Sequence, residues 1–195
     1  MSYHLYQTEG IVLGGAPIGD SNRYYYLFTK ELGLTIAFAQ GVREVKSKLR
    51  GHLQDFSYIA VDLIRGRDTW RIVNAREKDK FGSSSLSPAS LKIVARITDL
   101  LKRFLHGQEK NEKLFNYLVG GFSFLEKEKM EPETLKNLEI VLLARILYAL
   151  GYWDGEGKTK TILSSELSTE LLKEAGSRSK ELLDEINRAL KESHL

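Results

Sequence analysis

The apolar residues of this chain change period once, and that change limits the fold more than any other feature. Before Gly82 they fall in short runs broken by glycine-bearing turns. Ile11 to Leu13 follow Glu9-Gly10. Tyr24 to Thr29 and Leu34 to Ala39 flank Glu31-Leu32-Gly33. Phe56 to Ile64 and Thr69 to Ala75 flank Arg65-Gly66-Arg67-Asp68. Five such runs in under 80 residues predict a small barrel or sandwich of strands. A five-stranded barrel of this size is an OB-fold, although spacing alone does not separate it from an SH3-like barrel.

After Pro88 the period is helical. Leu91, Val94, Ile97, Leu101 and Phe104 recur at three- and four-residue steps, the mark of one helix face. Ser87 is placed to cap that helix, and Pro88 suits its first turn. A second helix is expected over 112–128, with Gly120-Gly121 weakening it. A third opens at Pro132 and stops at Gly151. Residues 154–161 read as a polar loop, and two short helices follow over about 168–175 and 178–192. The expected organisation is α+β: a barrel over 1–80, a Ser-rich linker over 81–87 and a helical domain over 88–195.

Charge follows the same division. The 195 residues carry 29 Lys and Arg against 26 Asp and Glu, and 12 bases against 9 acids lie in the first 80. The net +3 therefore belongs to the predicted barrel. The absence of cysteine excludes disulfides, thiolate zinc sites and cysteine nucleophiles. No apolar run approaches the ~20 residues that span a bilayer, and the first residues do not read as a secretory signal. The expected location is the cytoplasm, with no membrane partner.

Candidate catalytic motifs fail on spacing. Gly155-Glu156-Gly157-Lys158-Thr159 resembles the end of a phosphate-binding loop, but the glycine required five positions earlier is Tyr152. Gly14, Gly15 and Gly19 lack the dinucleotide spacing and precede a strand, so they read as turn formers. His4, His52, His106 and His194 have no partner at metal-ligand spacing. No nucleophile has an evident base. The chain is expected to be no enzyme and to need no metal or other cofactor.

Basic residues cluster instead. Arg43, Lys46, Lys48 and Arg50 fall within eight positions, opposed only by Glu44; Arg65, Arg67 and Arg71 surround the next turn. Six of nine tyrosines precede residue 60, and Tyr24, Tyr25 and Tyr26 are consecutive, so at least one faces outward. Cations that track phosphates beside rings that stack on bases are what single-strand binding requires. A solvated loop with core tyrosines is the other reading, and composition leaves both open.

The order of residues resembles a known family. Glu9 to Leu13, then Gly19-Asp20-Ser21-Asn22-Arg23, then Leu27-Phe28-Thr29-Lys30-Glu31-Leu32-Gly33 is similar to the N-terminal domain of RecO, a bacterial recombination mediator. Ala39-Gln40-Gly41-Val42-Arg43-Glu44-Val45-Lys46-Ser47 follows in family order, with Gln40 and Glu44 making it less basic than usual. Arg65-Gly66-Arg67 matches the turn before the last strand, and Ala144 to Tyr152 looks like the family's helix ending in L-L-G-Y. Many members then carry a four-cysteine zinc motif, which is absent here.

The resemblance implies an OB-fold followed by an α-helical domain. It implies binding of single- and double-stranded DNA, annealing of complementary strands, and loading of RecA together with RecR and single-strand binding protein. The residues expected to meet DNA are Arg23, Tyr24, Tyr26, Arg43, Lys46, Lys48, Arg50, Arg65, Arg67 and Arg71. The acidic, apolar tail of single-strand binding protein is expected on the helices, at Arg103, Leu142, Arg145 and Ile146. The alternative is an OB-fold adaptor that binds RNA or a protein.

Overall fold

A computed structural model describes residues 4–67, 69–81, 86–127, 130–154 and 159–192. Asp68 in the expected turn, Gly82 to Ser85 in the expected linker and Gly155 to Lys158 in the loop-like motif lie outside the described residues. The strands are β1 (Leu5–Ile18), β2 (Asn22–Thr29), β3 (Gly33–Ala39), β4 (Ser57–Arg65) and β5 (Trp70–Lys80). The helices are α1 (Pro88–Phe104), α2 (Glu112–Lys127), α3 (Pro132–Ala149), α4 (Thr159–Ser164), α5 (Thr169–Ser177) and α6 (Ser179–Glu192). Strands precede helices, as the change of period predicts.

The strands close into a barrel in the order β1-β2-β3-β5-β4. All pairings are antiparallel except β3 with β5, a parallel contact of two residue pairs, Ala37 with Trp70 and Phe38 with Arg71. Inside lie Val12, Tyr25, Leu27, Ile59, Val61, Leu63, Trp70 and Ile72. The barrel is too narrow for large side chains from every strand. β3 therefore turns Thr35, Ala37 and Ala39 inward and Leu34, Ile36 and Phe38 outward.

β1 is longer than its apolar run because it serves two neighbours. Its first half pairs with β4 and its second half with β2. A bulge makes the bend: the register passes from Val12 opposite Leu27 to Gly14 opposite Tyr26, and Gly14 has a φ of 130°. At Gly15 a Cβ would stand 2.2 Å from the Tyr24 carbonyl oxygen. These two glycines shape a strand, where the sequence suggests turns; Gly19 alone of the three sits in the turn.

Two compact units are present. The first comprises Met1–Ser84 and Val94–Glu112, and the second Ser85–Ile93 and Lys113–Leu195. The later part of α1 thus groups with the barrel. Ser87 caps this helix, its Oγ accepting from the Ser90 amide at 3.0 Å. Val94, Ile97, Leu101 and Phe104 are buried as their spacing predicts, but Leu91 is 37% exposed.

In the second unit α3 is apolar on most sides and buried accordingly, from Leu135 through Leu147. α2 persists through Gly120-Gly121 because tertiary packing outweighs propensity: Gly121 lies against Leu142 of α3, where a Cβ would come within 2.3 Å of a methyl. α4 was not anticipated; it begins inside the polar stretch and buries Thr159, Ile162 and Leu163.

The paired glycines should respond oppositely to alanine. Gly120→Ala meets no atom within 4 Å and should stabilise the helical unit by about 0.5–1 kcal/mol through a less flexible unfolded chain. Gly121→Ala must push into Leu142 and should destabilise by about 1–3 kcal/mol. Urea titrations of both variants would check the contrast.

Candidate nucleic-acid interface

Three connections are drawn together on one side of the barrel. The Arg43 amide donates to the Ser21 carbonyl at 2.9 Å, and its guanidinium donates to the Gly19 carbonyl at 2.9 Å. Gly41 donates its amide to Asn22 Oδ1 at 2.9 Å. Arg71 donates to Gln40 Oε1 at 3.0 Å. The β1–β2 turn, the start of the β3–β4 connection and the first residues of β5 are thereby tied to one another.

Tyr25 points inward and is 3% exposed, so Tyr24 and Tyr26 point outward. Burial pushes the Tyr25 phenol above its ordinary pKa. Tyr24 stands beside Phe38, ring centroids 5.4 Å apart, and Tyr26 is opposite Ile36, which is 49% exposed. A cleft of about 460 Å³ is lined by Asn22, Tyr24, Phe38, Gln40, Thr69 and Arg71. A second, of about 310 Å³, is lined by Ile64, Gly66, Arg67, Arg71, Ile72 and Val73. Arg71 belongs to both. Half-buried rings beside a guanidinium can stack on planar groups while the cation meets an anion.

The loop cations Arg43, Lys46, Lys48 and Arg50 are all exposed. Leu49 packs against the barrel core, and Val42 and Leu53 belong to it, so the loop is anchored by apolar side chains between its cations. Arg65 and Arg67 are also exposed, Arg65 with its guanidinium 5.6 Å from the Trp70 ring centre. Arg23 differs from the rest. It lies 5.1 Å from the Tyr25 ring centre, donates to the Gly15 carbonyl at 3.1 Å and pairs with Asp55 at 3.3 Å. Its charge is half-buried and committed.

Sequence reasoning missed Phe38, Ile36 and Gln40. The only signal was that Leu34, Ile36 and Phe38 alternate with smaller residues. An apolar residue normally marks the inward side, so this alternation points the wrong way.

The residues expected to receive a peptide are placed differently. Leu142 and Ile146 are completely buried and present no groove. Arg103 is exposed on α1. Arg145 is 4% exposed. Its Nε and Nη2 donate to the Ile162 carbonyl at 3.1 and 3.0 Å, and Nη2 also donates to the Ser165 carbonyl. Burial lowers its pKa from the usual guanidinium value. The cation therefore satisfies carbonyls at the end of α4 and lies 5.2 Å from the Tyr117 ring centre. One edge of it reaches a cleft of about 370 Å³ lined also by Asn116, Tyr117, Gly120, Ser123, Phe124, Glu166 and Leu167.

The molecule is thus of a defined class: a small closed barrel with an aromatic outer strip and a cationic loop, followed in sequence by helices. Residues 1–88 match the family model described as Recombination protein O N terminal. The chain belongs to the RecO family. A protein of Alkaliphilus metalliredigens (strain QYMF), named DNA repair protein RecO, is 31% identical over 140 residues, covering 71% of this chain and 57% of that protein. Its namesake in Dehalococcoides mccartyi (strain CBDB1) is 31% identical over 143 residues, 72% of this chain and 56% of the relative. The namesake in Clostridium novyi (strain NT) is 24% identical over 149 residues, 76% and 58%. The chain spans little more than half the length of these relatives.

Arg145→Ala should remove a buried donor from two carbonyls and leave a void, costing about 2–4 kcal/mol. Hydrogen exchange should rise most at the amides of 159–165. Arg145→Lys should not restore protection, because an ammonium lacks the planar fork. Unchanged exchange in the alanine variant would contradict the assignment.

Proposed function

We propose that the barrel is an OB-fold and that the chain is a non-enzymatic DNA-binding mediator of recombinational repair. Strand order β1-β2-β3-β5-β4 with a parallel β3–β5 contact supports the fold. The observation that carries the function is the Tyr24–Phe38 strip beside Arg71, flanked by the exposed cations of the β3–β4 loop. Bases stack on the rings, and phosphates lie on Arg43, Lys46, Lys48, Arg50, Arg65, Arg67 and Arg71. Arg23 acts by holding Tyr25 and the β1 bend in place.

Both single and double strands are bound through the phosphate contacts, which are indifferent to sequence. Annealing follows when a cationic surface screens the repulsion between complementary strands. In this reading the chain works with RecR and single-strand binding protein to bring RecA onto DNA, in the cytoplasm at the nucleoid. Among the described residues no helix is long and apolar enough to cross a membrane. The tail of single-strand binding protein docks in the cleft of Tyr117, Phe124 and Leu167, with Arg145 at its edge, in place of the buried leucine face.

Replacing Arg43, Lys46, Lys48 and Arg50 together by Ala should weaken binding to all sequences alike. The slope of log affinity against log salt should fall by about 3 for single strands, roughly 0.7 per lost phosphate contact. An unchanged slope in a folded variant moves the site elsewhere. Matched RNA bound as tightly as DNA at every salt concentration would favour an RNA adaptor. Separately, Phe124→Ala should weaken a tail peptide about fivefold or more and leave oligonucleotide affinity alone; equal peptide affinity would remove that docking site.

A further inference from the structure

The barrel carries a second apolar surface on its outside, separated from the aromatic strip by Arg71. Three neighbouring strands build it. Leu5 of β1 is opposite Ile64 of β4, and Ile64 is opposite Arg71 of β5. Side chains opposite one another share a face of the sheet, here the outer one. Val73 joins them through a bulge. The β4–β5 register passes from Leu63 opposite Ile72 to Asp62 opposite Asn74, so Val73 is passed over, and Val73 and Asn74 are both turned outward. Val73 is 51% exposed and Leu5 46%, while Ile64 is half-buried. Ile64, Ile72 and Val73 form one wall of the cleft of about 310 Å³ that Gly66, Arg67 and Arg71 complete.

The rim of this cleft is cationic. Residues 64–73 carry three arginines against Asp68, which lies outside the described residues. Arg67 and Arg71 are exposed, and neither pairs with a carboxylate among the described residues. Arg71 donates only to the neutral amide oxygen of Gln40, which holds it between the two clefts. The next row across the sheet is closed on itself: Asp62 accepts from the side-chain amides of Gln7 and Asn74, both at 3.2 Å.

We propose that this cleft docks an acidic segment of a partner protein that carries an aliphatic anchor. The lining selects peptide over nucleic acid. Bases gain most by stacking on rings, and the rings, Tyr24 and Phe38, belong to the other cleft. Leu5, Ile64 and Val73 are aliphatic, and their complement is an aliphatic side chain taken out of water. The guanidiniums at the rim receive carboxylates in bidentate pairs. The site is separate from the cleft of Tyr117 and Phe124, which belongs to the other compact unit. Arg67 and Arg71 are also two of the cations assigned to phosphates. Peptide and strand therefore compete for them, and each weakens the other by the same factor. That competition, unlike the docking itself, rests on the reading of the barrel as a DNA-binding surface.

The test is fluorescence anisotropy of the full chain with a labelled peptide, Asp-Asp-Leu-Asp-Asp-Leu. It should bind about fivefold more tightly than the same peptide with both leucines replaced by serine. That preference should persist in Phe124→Ala, which blunts the helical cleft. Val73→Ser should weaken the leucine peptide about threefold and leave the serine peptide nearly unchanged. Saturating oligothymidylate should weaken the leucine peptide about tenfold at constant ionic strength. No binding of the leucine peptide, equal affinity for the two peptides, equal effects of Val73→Ser on both, or loss of binding in Phe124→Ala would overturn the docking site. The comparison of peptides alters no residue of the protein and so decides even if Val73→Ser does not fold. Peptide affinity indifferent to bound oligothymidylate would overturn the competition. Failure of oligothymidylate to bind at all would instead remove the DNA reading, and the two peptides would still decide the docking site.

Discussion

The barrel closes through two residue pairs, and the candidate site exists because of them. Ala37 opposite Trp70 and Phe38 opposite Arg71 make the β3–β5 ladder among the described residues. The first pair is a volume match: a buried indole needs a neighbour with almost no side chain. The second pair, displaced by one residue, necessarily points to the other face. It sets a ring and a guanidinium side by side on the outside. Closure on the inside and recognition on the outside are thus consequences of one register. A slip by one residue would bury Arg71 and expose Trp70 together.

The rest of the face depends on that closure. With β5 in place, Arg71 reaches Gln40 at the end of β3, and the β3–β4 connection starts from a fixed point. Arg43 and Asn22 then fasten the connection to the β1–β2 turn. Val42, Leu49 and Leu53 pin it to the core, leaving Lys46, Lys48 and Arg50 on the exposed side. A cationic loop anchored in this way loses less conformational entropy on meeting a polyanion than a free one does. The bulge at Gly14 serves the same end. It bends β1 so that a single strand pairs with both β2 and β4.

In the helical unit the comparable constraint is Arg145. A cation at 4% exposure is tolerated because main-chain carbonyls and a tyrosine ring surround it. Its bonds run from α3 to the six-residue α4, a helix too short to be stable by its own hydrogen bonds. A charged residue in an apolar helical run was legible as an anomaly. Its partners were not, because they are backbone atoms 17 and 20 positions away, and carbonyls leave no mark in a sequence.

Local periodicity determined the order of elements, because alternation and 3.6-residue recurrence are properties of neighbouring residues. The five strands, the helix start at Ser87-Pro88, the helix stop at Gly151 and the cationic loop were all readable in this way. So was the outward orientation of at least one tyrosine among Tyr24 to Tyr26. Tertiary structure alone decided which apolar residues face solvent. Leu34, Ile36 and Phe38 look like an inward face, yet the narrow interior takes Thr35, Ala37 and Ala39 instead. It likewise kept α2 intact through Gly121, made a bulge of Gly14, and turned Leu142 and Ile146 from a candidate groove into core. In each case the deciding quantity was the space left by a residue distant in sequence, and local pattern carries no information about that space.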